Sequence, residues 1–284
     1  MSQGRAVLWG ALALLIPLTA FTLFFVFKER PYVLTVSFLD VGQGDAIYIE
    51  GPTGIDVLVD GGRGRAVLRT LPKEMGFFDR SLDMVVATHP DADHIEGLVD
   101  VFKRYRVLRY MEPGVENDTG VTHALLEAVG KEKDVEHTLA RRGQRILLGA
   151  GAYADVLYPD REVTHSETND ASVVLHVVYG ETEFFLSGDA PVSVEKYVVY
   201  LEGERLESDV LKAGHHGSHT STSDELLAVA KPKMVVISAG KDNSYGHPHK
   251  EVVEKIQNTG ATMLETSKEG TITLVSDGKT VVEK

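Results

Sequence analysis

Apolar positions along this chain follow two different rules, and the rule changes near residues 31–33. Ala6 to Phe27 is an apolar run without a single charge, closed by Arg5 on one side and Lys28-Glu29-Arg30 on the other. As a helix it is long enough for a bilayer core of about 30 Å. Trp9 and Tyr32 stand where interfacial anchors belong, and Pro17 is a kink that membrane helices tolerate. Residues 1–31 are therefore expected to form a transmembrane anchor. A cleaved signal peptide is the competing reading, disfavoured by the length of the run and the lack of a clean small-x-small site after it. Arg5 and the terminal amine balance Lys28 and Arg30, so charge does not orient the span.

From Val33 onward short β-branched runs alternate with segments of helical periodicity. Strands are predicted at Val33–Leu39, Asp45–Glu50, Ile55–Val59, Met84–Ala87 and Val107–Met111, and two short ones within Ile146–Tyr158. A hairpin is predicted from Ser172–Val178 and Glu183–Leu186, turning at Tyr179-Gly180. Further strands follow at Val210–Ala213, Met234–Ser238, near Met263 and at Thr271–Val275. Helices are predicted at Ala66–Met75 (interrupted by Pro72), Glu96–Tyr105, Thr122–Val129, Val192–Leu201 behind Pro191, Asp224–Ala230 capped by Ser223, and Lys250–Asn258. With no repeat or internal linker, residues 32–284 read as one α/β domain.

Composition narrows the chemistry. The chain has 43% hydrophobic and 25% charged residues, ordinary for a globular core, and a net charge of −13. That charge disfavours broad attraction to nucleic acid or an anionic membrane, though bound cations reverse the potential locally. There is no cysteine, hence neither disulfide nor thiolate ligand.

The chemistry gathers at strand ends. Thr88-His89-Pro90-Asp91-Ala92-Asp93-His94 follows the strand Met84–Ala87 and offers four imidazole and carboxylate ligands on one loop, a set that fits Zn²⁺, Mn²⁺ or Fe²⁺. Asp189 closes the hairpin and His215-His216 follow the strand Val210–Ala213. Seven of the eleven histidines (His89, His94, His215, His216, His219, His247, His249) fall in three such loops. Two metals about 3.5–4 Å apart need a bridging carboxylate from an independent element, and Asp189 is the candidate. Adjacent side chains usually diverge, so one of His215 and His216 is expected to ligate. His123, His137, His165 and His176 lack such company and read as structural or solvated.

The motifs Asp40-Val41-Gly42-Gln43-Gly44-Asp45, Asp60-Gly61-Gly62, His89-Pro90-Asp91-Ala92-Asp93-His94, Ser187-Gly188-Asp189, Leu211-Lys212-Ala213-Gly214-His215-His216-Gly217-Ser218 and Tyr245-Gly246-His247-Pro248 occur in this order. In them the chain resembles the metallo-β-lactamase superfamily, and within it the metallohydrolase domain of ComEC-type DNA-uptake (competence) proteins. The resemblance implies a four-layer αββα sandwich. It assigns His89 and Asp91 to one metal, Asp93, His94 and His215 to a second, and Asp189 to both. Two departures from the general pattern stand out: Asp91 replaces the second histidine of His-x-His-x-Asp-His, and Asn169-Asp170 stand where an isolated histidine is usual. Both weaken one metal position and shift the expectation from Zn²⁺ towards Mn²⁺. The large multi-span channel of ComEC-type proteins has no counterpart here, so DNA transport by this chain alone is not expected.

The expected activity is hydrolysis of a phosphodiester, DNA foremost, by water that one or two divalent ions activate. Asp93 and His247 are the expected catalytic residues. Asp45 and Asp60 are expected to orient ligands, and Lys212, His216 and Ser218 to contact substrate or support the site. The alternatives are hydrolysis of a lactone, thioester or β-lactam, and a membrane-tethered binding protein with a structural metal. The resemblance places the domain outside the cytoplasmic membrane, tethered by its helix, or secreted if that helix is cleaved; it names no protein partner.

Overall fold

The computed structural model describes residues 3–27, 32–76 and 79–284. The chain divides into two compact units, Met1–Tyr32 and Val33–Lys284. In the first, Gln3–Phe27 is one helix that runs through Pro17. Its side chains across 9–21 are exposed, Trp9, Leu14, Ile16 and Phe21 among them. Among the described residues no helix is long and apolar enough to cross a membrane.

The second unit is built on two large sheets. One has eight strands in the spatial order Val281–Glu283, Ile272–Ser276, Leu34–Phe38, Ile47–Glu50, Asp56–Val59, Met84–Val86, Arg109–Glu112 and Glu136–Leu139. The other has seven, in the order Thr262–Glu265, Met234–Ile237, Val210–Lys212, Thr182–Leu186, Val174–Tyr179, Ala152–Tyr158 and Arg145–Gly149. Each sheet is mixed. Antiparallel hairpins fill one part, and the strands joined by helical crossovers run parallel, as crossover connections require.

Burial explains why the strands read as continuous apolar runs. Met84 and Val86 point into the layer between the sheets, while Val85 faces the helices outside. Phe184 and Phe185 divide in the same way, as do Val210 and Leu211. A strand covered on both faces has no polar side to alternate with. The helices Val67–Glu74, Ala92–Phe102 and Gly120–Lys131 cover the first sheet, and Val192–Glu202, Asp224–Ala230 and Lys250–Thr259 cover the second. The result is the αββα sandwich.

Several boundaries differ from the sequence reading, each for a local reason. The helix over Val67–Glu74 continues through Pro72 instead of breaking there. The segment expected as one strand at Val107–Met111 is two. Arg106–Val107 pairs with Ser81–Leu82 in a separate two-stranded sheet, and Arg109–Glu112 joins the main one. The edge strand Glu136–Leu139 was not anticipated, because its mostly exposed residues carry no apolar period. The helix after His89 begins at Ala92, so Asp93 and His94 sit in its first turn.

That first turn is held against the loop 60–62. Gly61 N donates to the carbonyl of His94 (2.7 Å) and Gly97 N to that of Gly62 (2.9 Å). A Cβ on Gly97 would run into the carbonyl oxygen of Gly61. Gly97→Ala is therefore expected to destabilise the domain by about 1–3 kcal/mol or more, because neither backbone can yield without moving His94. Urea unfolding of the variant beside the wild type measures this; an unchanged midpoint would contradict the close approach.

Candidate metal centre

The sheet geometry brings four loops to one place. Asp60 follows the strand Asp56–Val59, His89 follows Met84–Val86, Asp189 follows Thr182–Leu186, and His215 and His216 follow Val210–Lys212, each at a C-terminal strand end. The centre of the cluster is Asp189 Oδ2. His94 Nε2 lies 3.2 Å from it, His216 Nε2 3.3 Å, His215 Nε2 3.7 Å and His89 Nε2 4.0 Å. Asp91 Oδ2 is 3.7 Å from His89 Nε2, and Asp93 Oδ2 is 3.5 Å from His216 Nε2. All six residues first assigned as ligands are thus brought together.

His216 joins them. The backbone is left-handed at both His215 (φ 48°) and His216 (φ 56°), which turns two adjacent rings toward the same carboxylate. Of the pair, of which one is expected to ligate, His216 offers a ligand atom within 4.8 Å of those of Asp45, His94 and Asp189, and His215 Nε2 lies farther out, 3.7 Å from Asp189 Oδ2. His216 is buried and His215 half-exposed.

Hydrogen bonds behind the rings decide which nitrogen is free. His94 Nδ1 donates to Asp60 Oδ2 (2.8 Å), and His216 Nδ1 donates to the carbonyl of Ser238 (2.9 Å). The Thr88 hydroxyl gives its proton to Asp60 Oδ2 (2.7 Å), so its contact with His89 Nδ1 (3.0 Å) uses the imidazole proton. The Thr220 hydroxyl gives its proton to Ser218 Oγ (3.0 Å), so His215 Nδ1 donates to Thr220 Oγ1 in the same way (2.9 Å). Every ring therefore spends Nδ1–H outward and turns Nε2 toward Asp189, the tautomer that a metal ligand needs. His89 Nε2 and Asp189 Oδ1 are buried without any hydrogen-bond partner, a costly arrangement in a protein interior unless something binds there. The residues fit a divalent cation.

Electrostatics agrees. Burial alone would lower His94 and His216, but Asp189 with Asp60 or Asp45 outweighs it and holds both imidazoles well above their usual range. Burial, reinforced by His94, pushes His89 down to about 3, leaving a neutral ring with a bare lone pair. Burial would raise Asp189 and Asp93, yet His216 and His94 keep both carboxyls below the usual carboxylate range. Without metal, then, protons on His94 and His216 occupy the space between the carboxylates.

The remaining expectations fall into place differently. Asp60 is buried and orients both Thr88 and His94. Asp45 is buried behind the rings, 3.5 Å from His216 Nδ1 and 3.9 Å from His94 Nδ1. Of the two roles expected for Lys212 and Ser218, contact with substrate or support of the site, their burial fits the second. Lys212 is fully enclosed, and Ser218 holds the loop by accepting from Thr220. His247 lies half-buried beside the cluster, its ring 5.6 Å from that of His215, on a loop fixed by Asn243. Burial, with His216 and His215 nearby, lowers it to about 4. Sequence reasoning missed Thr88, Thr220 and Glu195. The Glu195 carboxylate accepts from the amides of Thr222 and Ser223 (both 2.7 Å) and so clamps the loop carrying His215 and His216. None of the three has a motif to announce it.

The raised imidazoles have a consequence for stability. Their contribution is fully present below the unfolded value of 6.5 and is lost as pH rises through the higher folded values. Chelated protein should therefore lose thermal stability as pH climbs above about 6.5, and a divalent ion, which takes the place of those protons, should remove that loss. Melting curves with chelator and with metal from pH ~6 to ~10 check this; a flat alkaline profile in chelator would contradict it.

Comparison with known proteins matches this picture. The family profile of the metallo-β-lactamase superfamily matches residues 39–241. The chain is 31% identical over 256 residues to ComE operon protein 3 of Bacillus subtilis, covering 84% of this chain and 32% of that protein. It is 29% identical over 245 residues to Recombination protein 2 of Haemophilus influenzae, covering 84% of this chain and 28% of that protein. It thus spans about a third of the length of these curated relatives. Among solved structures, the fold is similar to Igni18, a metallo hydrolase of Ignicoccus hospitalis, with a TM-score of 0.53 at 16% identity, covering 85% of this chain and 98% of that one. With the profile match running from Leu39 to Lys241 across both sheets, the chain belongs to the metallo-β-lactamase superfamily.

Proposed function

We propose that the unit Val33–Lys284 is a metal-dependent phosphodiesterase that cleaves DNA. The observation that carries the hydrolase reading is the convergence of four imidazole Nε2 atoms on one buried carboxylate oxygen. The preference for DNA draws on relatives whose names refer to recombination and competence. A bound divalent ion supplies a water of lowered pKa and neutralises charge developing on a phosphoryl oxygen. Four imidazoles make the ligand set richer in nitrogen than the motif implied, so Zn²⁺ and Mn²⁺ both suit it.

The chain's own residues divide the remaining work. Asp91 and Asp93 are the partly exposed carboxylates of the cluster, at its mouth, and Asp93 stays ionised to accept a hydrogen bond from the attacking water and orient it. His247 is neutral near pH 7, half-buried at the edge of the cluster, with its Nδ1 enclosed and unpartnered. A cavity of about 410 Å³ opens beside His89 and Pro90, walled by Tyr110, Val115, Leu125 and Leu126. Its lining includes Glu112, Glu116 and Asp118 and no lysine or arginine, so it suits a base rather than a phosphate.

The proposal extends to the N-terminal helix, which as described falls short of a membrane span, as the element that holds the hydrolase at the extracytoplasmic face of a membrane. Its charge-free run and its apolar side chains exposed around the helix call for a covering that water does not provide. Fractionation and protease accessibility of the full chain, beside a fragment beginning at Pro31, test this; full-length protein found only in the soluble fraction would refute it.

The enzymatic test uses wild type and Asp93→Ala with single- and double-stranded DNA, in chelator and in Zn²⁺, Mn²⁺ or Mg²⁺. Metal-dependent cleavage is expected, reduced at least about 10²-fold in the variant with its fold intact. Bound metal without cleavage in any condition would end the nuclease reading and turn the search to lactones and small esters.

A further inference from the structure

Behind the histidines lies a charge that neither ligation nor substrate contact uses. Lys212 ends the strand Val210–Lys212, and its ammonium is fully buried. Nζ is 2.6 Å from Asp45 Oδ2, donates to the carbonyls of Gly188 and Ala213 at 3.1 Å each, and stands 3.9 Å from Asp189 Oδ1. An ammonium taken out of water persists only where such partners surround it.

The placement matters because of what Asp45 and Asp189 do. Asp45, His94, Asp189 and His216 offer ligand atoms within 4.8 Å of one another, so by proximity either carboxylate is available to a cation. The two carboxylates nevertheless lie on opposite edges of the rings. Asp45 approaches Nδ1 of His216 and of His94, while Asp189 Oδ2 approaches their Nε2 atoms. Lys212 touches the first carboxylate directly and faces the other oxygen of the second.

We propose that Lys212 is a positioning residue of the metal centre, a permanent internal cation that acts through Asp45. It holds Asp45 against the Nδ1 edges of His94 and His216, and it stands 3.9 Å from Oδ1 of Asp189, on the side away from the four Nε2 atoms. A fixed ammonium thus does on one side of the rings what a divalent ion does on the other, and the imidazoles are held between them. The same charge keeps the carboxylates from drawing a metal behind the rings, where Asp45 and Lys212 are enclosed.

This inference rests on the metal-centre reading, and one titration separates the two. Full-length protein stripped with chelator is titrated with Zn²⁺ and with Mn²⁺ by calorimetry, as wild type, as Lys212→Met/Asp45→Asn and as Asp45→Asn. The double variant removes both charges and so leaves none buried alone. It is expected to keep the wild-type circular dichroism in chelator and to bind metal about 10–100-fold more weakly. Asp45→Asn, which removes the anion through which Lys212 acts, is expected to weaken binding in the same direction and decides the matter if the double variant does not fold. A folded variant that binds as tightly as wild type overturns the inference. Failure of wild type to bind either ion overturns the metal-centre reading instead.

Discussion

One carboxylate oxygen facing four imidazoles is the constraint on which the rest of this domain depends. Asp189 Oδ2 is buried among rings that all present Nε2, and a buried anion of this kind needs cations around it. Protons on His94 and His216 supply them in the metal-free protein, Lys212 supplies one permanently, and a divalent ion is the remaining partner the geometry suits. The cluster is therefore a buried ionic core with the donor set of a metal-binding site.

The sandwich exists, in functional terms, to hold that core. Strands covered on both faces leave no freedom of register, because a one-residue slip would send Val85 or Phe185 into the wrong layer. Fixed registers fix strand ends, and the loops at those ends carry Asp60, His89, Asp189 and His216. Close backbone contact between Gly97 and Gly61, together with the Glu195 clamp on the loop at Thr222 and Ser223, removes the remaining slack. Precision in the site is inherited from packing far from it.

Polar side chains in a second layer then set which nitrogen each ring shows. Asp60, Thr88, Thr220 and the Ser238 carbonyl each take an Nδ1 proton or relay the means to do so. With Nδ1 occupied on all four rings, Nε2 is the nitrogen each turns inward, and a single type of ligand atom converges on one point.

Much of this was written in the sequence. Short β-branched runs alternating with helical periods specified the strands and helices. Histidines and aspartates directly behind those runs marked His89, Asp91, Asp93, His94, Asp189 and His215, because a strand end is a fixed position that needs no knowledge of what lies opposite. Motif order pointed to the αββα arrangement. What the tertiary structure alone decided concerns direction and depth. His216 faces the cluster because the backbone turns left-handed at two successive residues, which two adjacent histidines in a sequence do not disclose. Lys212 reads as a substrate contact or a support of the site until the opposite loop places Asp45 against it. Local periodicity fixes where a side chain leaves the backbone, but burial and charge pairing depend on residues from other elements, as Lys212 depends on Asp45.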